Sequence, residues 1–125
     1  MIKINIQPDC NNAPKKQFLK EFNIAFATGD LDFLLKHIDE NIQWTIYGDK
    51  KIKGKEHFEK AILEMKEYVA DALTISTIIT HGAEASVNGS IKMKDKMYAF
   101  CDVYQFKSAG SKIITEMYSY VIEEN

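Results

Sequence analysis

The chain changes its hydrophobic period near the middle. From Pro14, Phe18, Leu19, Phe22, Ala25 and Phe26 recur at helical spacing, with Lys15, Lys16, Lys20 and Glu21 between them. That pattern predicts a helix with one buried face, opened by Pro14 and capped by Asn12 or Ala13. Thr28-Gly29-Asp30 closes it, and Asp30 can cap a second helix carrying Leu31, Phe33, Leu34, Leu35 and Ile38. Ile42, Trp44 and Ile46 then alternate with Gln43, Thr45 and Tyr47, which predicts a strand ended by Gly48-Asp49. A third helix is expected from Gly54 to about Tyr68, burying Phe58, Ala61, Ile62 and Met65. Beyond it the period falls to two, giving strands over 73–80, 85–93, 97–107 and 112–122. His81-Gly82, Lys94-Asp95-Lys96 and the stretch from Ser108 to Ser111 are the turns between them. Residues 1–6 suit a brief strand and Pro8 to Asn12 a loop. Helices followed by strands predict one α+β domain over 1–125, its helices packed on one face of an antiparallel sheet.

One residue breaks the apolar alternation in a way that bears on chemistry. Tyr98, Phe100, Asp102, Tyr104 and Phe106 share a strand face, while Ala99, Cys101, Val103 and Gln105 share the other. A carboxyl on so apolar a face must be hydrogen-bonded, kept neutral or turned into a cavity, because burying an unpaired carboxylate is costly. The last two strands read as a hairpin turning near Ala109-Gly110, which sets residue 102 across from the 116–118 region. Glu116, Tyr118 and Tyr120 then share the face of Asp102, with Tyr118 its expected cross-strand partner and Glu116 a second candidate. Cys101, Val103, Gln105, Met117 and Ser119 are left to the opposite face.

Composition narrows the classes of function. The chain is 46% hydrophobic and 27% charged with a net charge of −2, so neither nucleic acid nor an anionic membrane is an expected partner. No apolar run is long enough for a membrane span, and residues 1–6 lack the apolar block of a signal peptide. Two cysteines are too few for a disulfide framework, so a reducing cytoplasm is the expected setting. All 16 basic residues are lysine, which removes any chemistry that needs a guanidinium fork. His37, His57 and His81 are scattered without partners at ligand spacing, so no metal site is expected, and no glycine-rich phosphate loop or cofactor motif occurs.

The order of Ala27-Thr-Gly-Asp-Leu-Asp32, Trp44-Thr-Ile-Tyr-Gly48 and Lys53-Gly-Lys-Glu-His-Phe58 resembles the nuclear-transport-factor-2-like superfamily. The SnoaL-like branch is the most similar part, and the resemblance spans about residues 14–122. Phe100-Cys-Asp-Val-Tyr-Gln-Phe106 followed by Ser119-Tyr-Val-Ile-Glu123 is similar to its small bacterial members. The resemblance implies a curved antiparallel sheet wrapped over helices into a cone with a pocket, and a homodimer through the outer sheet face. Ketosteroid isomerase, a more distant relative, carries an aspartic acid that falls on Asp102 and stays protonated to stabilise an oxyanion. Its helix-one tyrosine falls on Phe22, and its general base on Thr45 or Ile46, neither of which can abstract a proton. The Asp–Arg–Asp device of limonene epoxide hydrolase is excluded by the absence of arginine.

These readings converge on a pocket. Phe22, Phe26, Trp44, Phe100, Asp102, Tyr104, Glu116, Tyr118 and Tyr120 are the candidate ligand-binding residues, with Asp102 and Tyr118 the candidates for catalysis. Most of the aromatic residues also suit plain core packing. The leading expectation is binding of a small apolar or carbonyl-bearing molecule, with Asp102 at the polar centre and no cofactor. One alternative is a SnoaL-like cyclase, isomerase or hydrolase using Asp102 as general acid or base. The other is a dimeric interaction module whose pocket is filled by side chains.

Overall fold

The computed structural model describes residues 2–6, 14–65 and 70–124. Its elements run β1 (Lys3–Ile6), α1 (Pro14–Thr28), α2 (Leu31–Lys36), β2 (Ile38–Ile46), β3 (Lys50–Lys53), α3 (Lys55–Met65), β4 (Ala72–His81), β5 (Glu84–Met93), β6 (Lys96–Phe106) and β7 (Ile114–Glu124). The loop after Pro8, Cys10, the Asn12 or Ala13 cap and Tyr68 lie outside the described residues.

Local chemistry sets most boundaries. Pro14 opens α1, where an amide donor would find no helical partner. Gly29 takes a φ of 75° to end it, and the Asp30 side chain accepts from the Phe33 amide at 3.2 Å to start α2. Ile38, expected at the end of that helix, instead begins β2 and is buried there. Strand β3 was not legible in the pattern because three of its four residues are lysine, and only Ile52 is buried. It exists as the return arm of a hairpin with β2.

The seven strands stand in the order β1-β4-β5-β6-β7-β2-β3. The sheet is mixed, which corrects the antiparallel expectation: β1 runs parallel to β4, and β2 parallel to β7. Register shifts in β2, in β4 and between β6 and β7 interrupt the pairing and bend the sheet. At the β4 irregularity the neighbouring backbone crowds Gly89, where an added Cβ would lie 1.9 Å from the Thr74 carbonyl oxygen. A glycine is required there by that approach.

Helix α1 packs on β4, and α3 on β2 and β3. Leu19, Phe22, Leu34, Phe58, Tyr104, Phe106 and Ile114 are fully buried between helices and sheet. At the end of the sheet bearing the β4–β5 and β6–β7 turns, Lys15 ties the layers together. Its Nζ donates to the Gly82 and Ala109 carbonyls at 3.0 and 2.7 Å and lies 4.2 Å from the centre of the Phe106 ring. The cavity lies toward the other end.

Candidate ligand-binding site

Between α1, α3 and the inner sheet face lies a cavity of about 660 Å³. Phe26, Trp44, Ile46, Ile62, Met65, Leu73, Ile91 and Phe100 give it an apolar wall. Asp102, Ser119 and Asn23 are the polar residues of its interior, and exposed Asp71 stands at its edge. The alternation in β6 delivers Asp102 to this wall, since Phe100, Tyr104 and Phe106 on the same face are all buried.

Across from Asp102 stands Ser119, not Tyr118. Phe106 pairs with Ile114 in the register that would set Tyr118 opposite Asp102. Beyond that pair β7 carries one extra residue, Thr115, whose hydroxyl donates to the Gln105 carbonyl at 3.1 Å. One inserted residue turns every later side chain to the other face. Met117 and Ser119 are therefore buried in the interior, which corrects their assignment to the outer face. Glu116, Tyr118 and Tyr120 stand outside, which removes them from the cavity wall and Tyr118 from the side of Asp102. There the Tyr118 hydroxyl donates to Glu116 Oε1, while Tyr120 stacks on Tyr47 with ring centres 4.6 Å apart. Cys101, Val103 and Gln105 share that outer face, as expected.

The remaining candidates divide by depth. Phe26, Trp44, Phe100 and Asp102 line the cavity. Phe22 and Tyr104 stand behind its wall, with the Phe22 ring meeting the Tyr104 ring edge-on at 6.0 Å. The sequence reading missed Asn23, Ser119 and the indole N–H of Trp44 as polar members of the site. Ser119 was hidden by the bulge. Asn23 follows Phe22 on the buried side of α1 and could have been noticed as a polar residue beside an apolar stripe.

These groups form two chains of donors that end on Asp102. Asn23 Nδ2 donates to the Leu19 carbonyl at 2.9 Å and to the Tyr104 hydroxyl at 3.2 Å. The Tyr104 hydroxyl donates in turn to Asp102 Oδ2 over a longer 3.4 Å. From the other side, Trp44 Nε1 donates to Ser119 Oγ at 2.8 Å, and the Ser119 hydroxyl donates to the Asp102 carboxyl. Burial pushes the Asp102 carboxyl up to about 6, against the pull of the Ser119 and Tyr104 hydrogen bonds. Burial, reinforced by the charge of Asp102, holds the Tyr104 hydroxyl protonated well above the usual phenol range. Among the described residues no group of His, Cys, Asp and Glu is arranged to hold a metal ion.

No protein-family model matches the sequence, and no curated protein does. Solved structures do match, and they define the class: this chain has the nuclear-transport-factor-2-like fold, with three helices on a curved mixed sheet. An NTF2-like protein of unknown function from Cytophaga hutchinsonii superposes with a TM-score of 0.72 at 22% identity, over 85% of this chain and 97% of that one. A candidate SnoaL-like polyketide cyclase from Shewanella putrefaciens gives 0.76 at 12% identity, over 89% and 81% of the two chains. A candidate ketosteroid isomerase from Kribbella flavida gives 0.74 at 12% identity, over 89% and 79%. No helix among the described residues is long and apolar enough to cross a membrane.

Proposed function

We propose that this protein binds a small, largely apolar molecule in its interior cavity, with Asp102 holding the ligand's polar group. The observation that carries the reading is a preformed space of about 660 Å³ with an apolar wall and one interior carboxyl, itself fixed by two hydroxyl donors. An interaction module with a filled pocket fits this space poorly. A catalytic reading draws on the same carboxyl, since an acid near neutrality suits general acid–base work. Tyr104 stands beside it as a donor already spent on Asp102, so the cavity interior offers no second titratable partner among the described lining residues. Binding is therefore the better supported of the two. A homodimer through the outer sheet face accompanies the proposal, supported by exposed Tyr47, Ile79, Val103, Tyr120 and Ile122 on the surface away from the helices. A cytoplasmic setting accompanies it as well, in keeping with the unpaired thiol of Cys101.

Trp44 is the only tryptophan of the chain and lines the cavity, so its emission reports occupancy directly. Titration with the neutral dye Nile red should quench that emission and enhance the dye's own. Ile91→Trp, which fills the cavity from β5, should abolish the enhancement. Dye binding that survives Ile91→Trp, or no binding to the wild type, would overturn the proposal.

A further inference from the structure

The cavity is electrostatically one-sided. Its described lining residues include two carboxylates, Asp102 in the interior and Asp71 at the edge, and no lysine or histidine. Arginine is absent from the whole chain. Asp71 is held in place by the Lys94 amide, which donates to its Oδ2 at 2.7 Å, and that bond leaves its charge in place. The C-terminal turn of α1 also reaches the cavity through Ala27, Thr28 and Gly29, and no basic residue occupies that turn. A helix presents its partial negative charge at this end. Three sources of negative potential therefore face a space whose described lining residues supply no cation.

Hydrogen bonding agrees with the charge. An ionised carboxylate has about four acceptor positions. Tyr104 and Ser119 occupy two positions of Asp102, and the remaining capacity is open to whatever enters the cavity. Aromatic rings of Phe26, Trp44 and Phe100 stand on the same walls, and their faces attract cations in a dry site.

We infer that the cavity takes an apolar organic amine as its ammonium ion, the charged nitrogen on Asp102 and the hydrocarbon body against Phe26, Trp44 and Phe100. The inference rests on the binding function proposed above and names the chemical class of that ligand. A carbonyl compound would need a donor from Asp102, which requires the neutral acid. With its carboxyl at about 6, that form is the minority at neutral pH. The groups around Asp102 are Val87 and Ser119, which pair with it from β5 and β7, its donor Tyr104 on β6, and, lining the same cavity, Asn23 from α1, Trp44 from β2 and Met117 from β7. Of these only Tyr104 titrates, and it stays protonated through the neutral range. Asp71 at the edge and Cys101 on the outer face are the other ionisable groups nearby among the described residues. An ammonium ion would favour the ionised acid, so binding and loss of the Asp102 proton are linked.

The experiment compares adamantylmethylamine, adamantylmethanol and adamantyl methyl ketone by calorimetry on the wild-type protein. The amine should bind at least about tenfold more tightly than the alcohol near pH 7.5, as a charge-assisted hydrogen bond implies. Its affinity should rise from about pH 5 to pH 7.5 as Asp102 ionises, whereas a ketone held by the neutral acid would lose affinity over that range. Asp102→Asn should weaken the amine by about tenfold more than it weakens the alcohol. Equal binding of amine and alcohol, or amine affinity that falls as pH rises, would overturn the inference. The wild-type pH profile decides the matter even where the Asn variant does not fold. Nile red binding without amine preference would sink this inference alone, and failure of the dye to bind would sink the proposed function with it.

Discussion

The Asp102 carboxyl lies at about 6 in the folded chain against an ordinary value of 3.8, and this makes protein stability depend on pH in a calculable way. In the unfolded chain the acid gives up its proton near 3.8, and in the folded chain only near 6. Between those values the unfolded state holds fewer protons, so stability falls as pH rises and reaches its lower plateau above about 6. Each pH unit between the two values is worth about 1.4 kcal/mol, so ionised Asp102 costs the folded protein about 3 kcal/mol at neutral pH. Asp102→Asn removes the ionisation. Its hydrogen bonds to Tyr104 and Ser119 will change as well, but that change does not vary with pH in this range. The informative quantity is therefore the difference in unfolding free energy between variant and wild type, measured by urea denaturation at about pH 4 and again at about pH 8. It should shift by about 2.5 kcal/mol in favour of the variant between the two conditions, because at pH 4 the unfolded acid is already more than half ionised. A difference that stays flat would refute the claim that this carboxyl is held in a poorly solvated cavity.

Other predictions follow from single contacts. Ser119→Ala removes a donor from Asp102, so the carboxyl should titrate higher still when followed by NMR. The same change leaves the Trp44 N–H without its partner, which should cost about 1–2 kcal/mol in chemical denaturation and move the indole N–H resonance. Gly89→Ala forces a methyl group onto the Thr74 backbone and should destabilise the fold by about 3 kcal/mol, measurable as a lowered urea midpoint.

The fold was legible where hydrophobic period alone decides structure. Phe18, Leu19, Phe22 and Ala25 announced α1, and Tyr98 to Phe106 announced both β6 and the inward aim of Asp102. Pairing was less legible, because periodicity says which face a side chain takes and nothing about which strand lies beside it. That is why the parallel pairings of β1 with β4 and β2 with β7 went unforeseen. The placement of Asp102 on the cavity wall was legible, and the identity of its cross-strand neighbour was not. Thr115 is an ordinary strand residue by composition, yet its bulge exchanges Tyr118 for Ser119. Cavity and core also share one signature: Ile62 and Leu73 line an open space, Leu19 and Phe58 pack solidly, and no pattern of residue types separates them.

The parallel pairing of β2 with β7 also bears on how the chain acquires its shape. Trp44 and Ser119 are 75 residues apart, and their hydrogen bond spans the seam where those two strands meet. During synthesis β2 leaves the ribosome long before its neighbour exists, so its edge toward β7 must wait through the emergence of α3 and four further strands. Contacts between such distant segments pay a large closure entropy before they return any stability, which slows folding. The β4–β5–β6 meander can form locally in the meantime, but the Trp44 side of the cavity closes last. In refolding kinetics, single-tryptophan emission should therefore trail the gain of β-structure, so that one fluorophore dates the moment when the two halves of the sheet join.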